Sequence, residues 1–181
     1  AAASATGAKD ERIAKTKLGY LNFPTSIDKQ TGSSMKPISV IAPGLITGTI
    51  TGATVYNDVL TDFGGGFRPK DYDYCRGLQN MRAAIEHSEN IPHVKSLSNI
   101  GMDASVEFCM SVGLPDFTDS GLSLALGGIQ YGVSPYEMCR AYAAIANGGE
   151  YIIVKLFDDR LEILSPGRLG GFVTLETMKN K

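Results

Sequence analysis

The sequence predicts an α+β fold, a mainly helical region joined to an incomplete antiparallel sheet. Residues 78–147 carry one helical segment after another, each bounded by caps, prolines or glycines. Residues 151–157 and 160–164 are two β-like runs meeting at Asp158-Asp159, the pattern of a hairpin. Upstream, the Thr- and Val-rich residues 46–59 read as turn and strand.

Taken in order, residues 1–32 are polar and poorly patterned, apart from a short strand expected over 18–23 and a turn at Gln30-Thr31-Gly32. Ser33 opens an apolar stretch of helical length over residues 35–46, with Ser33 suited to the N-cap and Pro37 to the first turn. Pro43 should kink or end that helix. Gly64-Gly65-Gly66 and an irregular aromatic stretch over 67–74 follow. A helix resumes from Leu78, with Met81, Ala84 and Ile85 on one face, and ends near 88–90. Pro92 starts a helix over 93–100 that Gly101 stops, and Asp103 caps another through Val112. Residues 121–132 are small, flexible and apolar. Ser134-Pro135-Tyr136-Glu137 is a helix start with cap, first-turn proline and capping box, and that helix stops at Asn147-Gly148-Gly149. Ser165-Pro166-Gly167 should break the second β-like run.

Composition narrows the function. In 181 residues, 17 Lys+Arg stand against 19 Asp+Glu, a net charge of −2 that lacks the basic excess of a nucleic-acid binder. No stretch approaches the roughly 18 apolar residues of a membrane span. The start, Ala1 to Thr6, lacks the apolar core of a secretion signal, so the chain is expected to carry neither signal nor anchor. Cys75, Cys109 and Cys139 are odd in number and far apart, and His87 and His93 flank no carboxylate at metal-ligand spacing, so neither a disulfide framework nor a metal site is read. Cys109 and Cys139 lie in apolar helical runs and are expected to be buried thiols, whereas Cys75 lies in a polar stretch and should be more exposed.

The chemistry is sought at two S-x-x-K tetrads, Ser26-Ile27-Asp28-Lys29 and Ser33-Ser34-Met35-Lys36. About one such match is expected by chance in a chain this long, so context must separate them. Ser26 lies in a polar loop and reads as a solvated turn. Ser33 opens an apolar helix, where Ser33 and Lys36 share a face and the amine can reach the hydroxyl. A serine becomes a nucleophile when a base takes its proton, and burial lowers a lysine pKa enough to supply a neutral amine. The helix N-terminus also offers N–H groups to an oxyanion. The alternative is an N-cap serine beside a surface lysine. A second constellation, Ser88-Glu89-Asn90, is an S-x-N at a helix end before Pro92. Its hydroxyl could relay a proton from Lys36 and its amide hold a peptide carbonyl. The alternative is a simple helix C-terminus with Asn90 in a permissive conformation.

Together these residues resemble the transpeptidase domain of class A penicillin-binding proteins, in the β-lactamase-like superfamily of serine D,D-transpeptidases. The resemblance rests on Gln30-Thr31-Gly32-Ser33-Ser34-Met35-Lys36-Pro37, on Phe67-Arg68-Pro69-Lys70-Asp71-Tyr72-Asp73, and on Arg76-Gly77. It continues through Arg82-Ala83-Ala84, Ser88-Glu89-Asn90-Ile91-Pro92, Gly132-Val133-Ser134-Pro135 and Ala146-Asn147-Gly148-Gly149, covering residues 20–152 in family order. It implies a partial β-lactamase/transpeptidase-like fold, with Ser33 as acylated nucleophile, Lys36 as general base, Ser88 as proton relay and Asn90 as a substrate-binding residue. The implied partners are a peptidoglycan stem peptide ending in D-alanyl-D-alanine and β-lactams, with no metal or organic cofactor and no nucleic acid. The family works outside the cytoplasm, attached to the bacterial membrane.

The sequence departs from that pattern in one respect that bears on activity: no K-T-G follows the second motif, and Lys15-Thr16-Lys17 is not a substitute. In the family that strand binds the substrate carboxylate and flanks the oxyanion hole, so activity is expected to be weak or lost. Residues 157–167 and 174–176 resemble instead the C-terminal part of helicase-related transcriptional regulators. The expected organisation is a poorly patterned segment at 1–19, a truncated transpeptidase-like region at 20–152 and a hairpin-like tail at 153–181. A second functional reading is a non-catalytic remnant, whose unpaired sheet edge would invite self-association or a partner strand.

Overall fold

The computed structural model describes residues 28–157 and 160–168, with the side chains of residues 28–149. The strand expected over 18–23 and the turn at Asp158-Asp159 lie outside them. The fold is α+β. Its helical body is flanked by two separate two-stranded antiparallel sheets.

Residues after Lys29 wind as one helical run at three pitches: a 3₁₀ turn (Gly32–Met35), a π turn (Pro37–Ile41) and the short helix α1 (Ala42–Ile46). Pro43 has no N–H to offer the Ser39 carbonyl, so the run loosens and Ala42 N–H reaches back to the Pro37 carbonyl. The carbonyl freed at Ser39 accepts the Ser105 hydroxyl at 2.5 Å. Pro43 therefore changes the pitch without ending the run. Ser33 is not the N-cap: Gly32 (φ +56°) turns the chain first, and Thr31 holds the cap position with no side-chain cap bond.

Strand β1 (Val55–Asp58) pairs antiparallel with β2 (Gly77–Asn80), Val55 facing Asn80 and Asp58 facing Gly77. Leu78, expected to open a helix, lies in β2 and is 75% exposed. The helix α2 (Met81–Glu86) starts only after Asn80, whose extended backbone and side-chain bond to Ala83 N–H form the cap. Met81 and Ala84 are buried on its inner face as expected. Helix α3 (Asn90–Ile100) opens two residues before Pro92, because a first-turn proline breaks no helical bond. Gly101 (φ +89°) ends α3 and occupies the cap of α4 (Met102–Ser111), leaving Asp103 in its first turn and not at the cap.

The small, apolar stretch becomes a 3₁₀ segment (Thr118–Leu126), broken at Gly121. Helix α5 (Pro135–Ala146) carries the full capping box at Ser134 and Glu137. Strands β3 (Glu150–Phe157) and β4 (Arg160–Arg168) pair antiparallel. Ile152 faces Pro166 while Ile153 faces Leu164, so Ser165 is the extra residue of a bulge. The expected break at 165–167 is thus absorbed inside β4.

Helix α3 is the axis of the main core, where Met35, Ile38, Val94, Leu97, Cys109, Leu124 and Ala141 are all fully buried. A smaller cluster of Ile50, Tyr56, Met81 and Ala84 sits under β1 and α2. Cys109 is buried as expected, but Cys139 is exposed. It stands two residues before the buried Ala141, about 200° around the helix, so it faces outward. Among the described residues no helix is long and apolar enough to cross a membrane.

Candidate active site

The 3₁₀ turn decides how Ser33 and Lys36 stand. In that geometry side chains three apart eclipse, so both lie on one side of the turn. Lys36 points inward and is fully buried. Its Nζ donates to the Ser88 carbonyl at 2.5 Å, to Ser88 Oγ at 3.1 Å and to Asn90 Oδ1 at 2.8 Å. Those bonds occupy all the donors of an ammonium. Ser88 is exposed, so its hydroxyl lies at the surface beside the buried amine, and Ser33 is exposed as well. Lys36, Ser88 and Asn90 are thus joined directly. Ser33 is not joined to them: among the described residues its hydroxyl has no hydrogen-bond partner.

Two features mark this corner as built for more than packing. Ser88 has φ +56°, a left-handed conformation that costs a serine about 1 kcal/mol or more and places its carbonyl and its hydroxyl both on Lys36. Burial pulls the Lys36 pKa down from 10.5 to about 8, opposed by the negative charges of Asp71 and Glu89.

Residues from the loop between β1 and β2 hold the turn. Asp71 Oδ1 accepts the N–H of Asn90 and, at 3.4 Å, that of Ile91, both in the first turn of α3. Asn90 Nδ2 donates to the Lys70 carbonyl at 2.6 Å, which orients its Oδ1 toward Lys36. Glu89 is buried against Arg76 (Nε–Oε1 2.5 Å), whose other nitrogens reach Asp73 and Tyr74. Burial raises the Glu89 pKa, while the hydrogen bond to Glu89 raises that of Arg76. His93 packs its Nδ1 against the Glu89 carbonyl, and burial lowers its pKa to about 4, so the neutral ring donates that bond at neutral pH.

The 3₁₀ turn that carries Ser33 is braced from the other side. Tyr142 of α5 donates to the Ser34 carbonyl at 2.7 Å. Lys29 and Val133 exchange backbone bonds of 3.0 and 2.9 Å. Gly132 (φ +79°) leaves only 2.7 Å between an added Cβ and the Lys29 backbone, so no larger residue lets these segments meet. Ser26 of the other tetrad lies outside the described residues, and its Lys29 serves this backbone bridge. Asp71, Arg76, His93 and Tyr142 were not singled out from the sequence as site residues. No local pattern links them to Lys36; the link is tertiary.

The family model of the penicillin binding protein transpeptidase domain matches residues 3–169. The chain belongs to that family. Penicillin-binding protein 1F of Bacillus subtilis is 35% identical over 137 residues, covering 75% of this chain and 19% of that protein. Penicillin-binding protein 1A of Streptococcus pneumoniae is 31% identical over 141 residues, covering 72% and 19% respectively. A crystal structure of penicillin-binding protein 1A from Haemophilus influenzae superposes with a TM-score of 0.65 at 29% identity, covering 81% of this chain and 23% of that one. The chain thus spans about a fifth of the length of the curated relatives it matches. The match to the transpeptidase family runs beyond residue 152 and includes both β3 and β4.

Proposed function

We propose that residues 20–152 perform acyl transfer on the D-alanyl-D-alanine end of a peptidoglycan stem peptide, and that β-lactams acylate the same serine. The observation that carries this reading is the triple hydrogen bonding of buried Lys36 to Ser88 and Asn90. With a pKa of about 8, roughly a tenth of Lys36 is neutral at pH 7. Loss of one proton leaves the amine a lone pair in place of a third donor, and acylation requires Ser33 Oγ, three residues earlier at the 3₁₀ turn, to reach that lone pair. Ser33 Oγ attacks the peptide carbonyl carbon while its proton passes to Lys36 Nζ. Collapse of the tetrahedral intermediate breaks the C–N bond, and the leaving D-alanine amine takes a proton through Ser88 Oγ. Asn90, held by Lys70 and Asp71, binds the peptide amide or carbonyl. An acceptor amine then attacks the Ser33 ester to form the cross-link. Its substrate places this reaction outside the cytoplasmic membrane.

The 181 residues contain no K-T-G. Loss of one oxyanion donor typically raises a barrier by ~2.7–4 kcal/mol, and carboxylate binding is lost with the strand, so acylation of these 181 residues should run at least about 10²–10³-fold slower than in a relative that has the motif. Incubation with a fluorescent penicillin followed by peptide mass spectrometry should find the acyl adduct on Ser33, and Ser33→Ala should abolish it. No adduct after prolonged incubation, or one that survives Ser33→Ala, would sink the reading.

A further inference from the structure

Asp58 is fully buried at the end of β1, and its Oδ2 accepts the Arg76 N–H at 2.6 Å. Its Oδ1 is buried with no N–H or hydroxyl donor among the described residues, and the Asp58 carboxyl faces that of Asp71. Asp71 is similarly half-committed: Oδ1 holds the first turn of α3, leaving Oδ2 with the Cys75 thiol at 4.0 Å. One ligand atom from each of Asp58, Asp71 and Cys75 lies within 4.8 Å of the other two. Among the described residues neither aspartate is in direct ion-pair contact: Arg76 is taken by Glu89 and Asp73, and Lys95 and Lys36 act on Asp58 and Asp71 only through space. A buried carboxylate facing a second one, with no cation between them, is a costly arrangement unless a proton or a metal ion enters.

We propose that Asp58, Asp71 and Cys75 form a binding site for a divalent transition-metal ion of zinc type, located behind the Ser88-Glu89-Asn90 turn. The donor set selects the ion: a thiolate disfavours magnesium and calcium, while two carboxylates and a thiolate suit zinc or cobalt(II) in a four-coordinate site completed by water. Binding displaces two protons to solvent, the Cys75 thiol proton as the S–metal bond forms and the proton shared by the facing carboxyls as the O–metal bonds form. No redox change is involved. Because these protons must leave before the ligands can bind the ion, metal binding should strengthen as pH rises. The ion would tie β1 and the 71–75 loop to the first turn of α3 through Asp71. The sequence hid this site because the nearest pair, Asp71 and Cys75, shows no metal-ligand spacing and Asp58 reaches them from another strand.

Cobalt(II) titration of the reduced, chelator-treated chain tests it. A thiolate-to-cobalt charge-transfer absorption should appear and be displaced by zinc at equal stoichiometry. Cys75→Ser should remove the band, while Cys139→Ser, which deletes the exposed thiol, should leave it. Asp58→Asn, matched in shape, should weaken zinc binding at least tenfold by calorimetry with circular dichroism unchanged. Absence of the band at millimolar cobalt would overturn the proposal and leave a shared proton between the carboxyls. A band that persists in Cys75→Ser but vanishes in Cys139→Ser would overturn it equally, by identifying a surface thiol.

Discussion

Lys36 directs all its donors at one turn, and the two acceptors of Ser88 can be separated by substitution. Ser88→Gly keeps the carbonyl acceptor, accommodates φ +56° and deletes the hydroxyl. The relief of left-handed strain offsets the lost bond, so stability should stay within ~1 kcal/mol by urea denaturation. Ser33 acylation should nevertheless fall about 10²-fold or more, the typical worth of a positioned proton-transfer group. An equal fall in stability and labelling would mean that Ser88 is merely structural. The lysine also predicts a pH profile. Its folded pKa is depressed, so the reactive neutral form grows as pH rises toward about 8 and saturates above it. Second-order labelling by penicillin should climb about tenfold per unit below that value and then level off. At this scale the sequence was informative about residue types and silent about partners. Ser33, Lys36, Ser88 and Asn90 could be named from two short motifs. Asp71 and His93 could not, because their roles depend on contacts to Asn90 and Glu89 that no spacing rule encodes.

Helix α5 shows local chemistry deciding an element. Ser134, Pro135 and Glu137 lie within one turn, and the capping box they predict is formed as read. Ser134→Ala should cost about 1 kcal/mol of unfolding free energy, measured by urea denaturation, since it removes the hydroxyl that accepts Glu137 N–H. Tyr142→Phe on the same helix should cost little stability, about 0.5–1.5 kcal/mol, while loosening the Ser34 turn and slowing labelling. Where competing rules met, element boundaries were less legible. Ser33 lost the cap because Gly32 turned the chain ahead of it, and Leu78 went into a strand because Asn80 could cap α2. Cys139 was read as buried from local apolarity, yet the helix phase set by Ala141 and Ala144 faces it outward.

The described fold is organised around α3, whose Val94 and Leu97 are completely enclosed between the helical run over residues 32–46, α4 and the 3₁₀ segment. Leu97→Ala should therefore destabilise by about 2–5 kcal/mol, checked by urea denaturation. Hydrogen exchange should be slowest in α3 and distinctly faster in β1 and β2, a lone two-stranded ribbon over the smaller cluster.

From the amino acids alone came the α+β class, most helices, the resemblance that names the family, and the four residues of the candidate site. All of these follow from patterns within a few residues, where periodicity, caps and short motifs operate. Only the tertiary structure decided that Lys36 is buried, that its amine meets a strained turn 52 residues away, and that Asp58 faces Asp71 and Cys75. Burial, pKa and converging ligands depend on which distant segments pack together. That packing is set by the enclosure of α3, and no local stretch of sequence carries it.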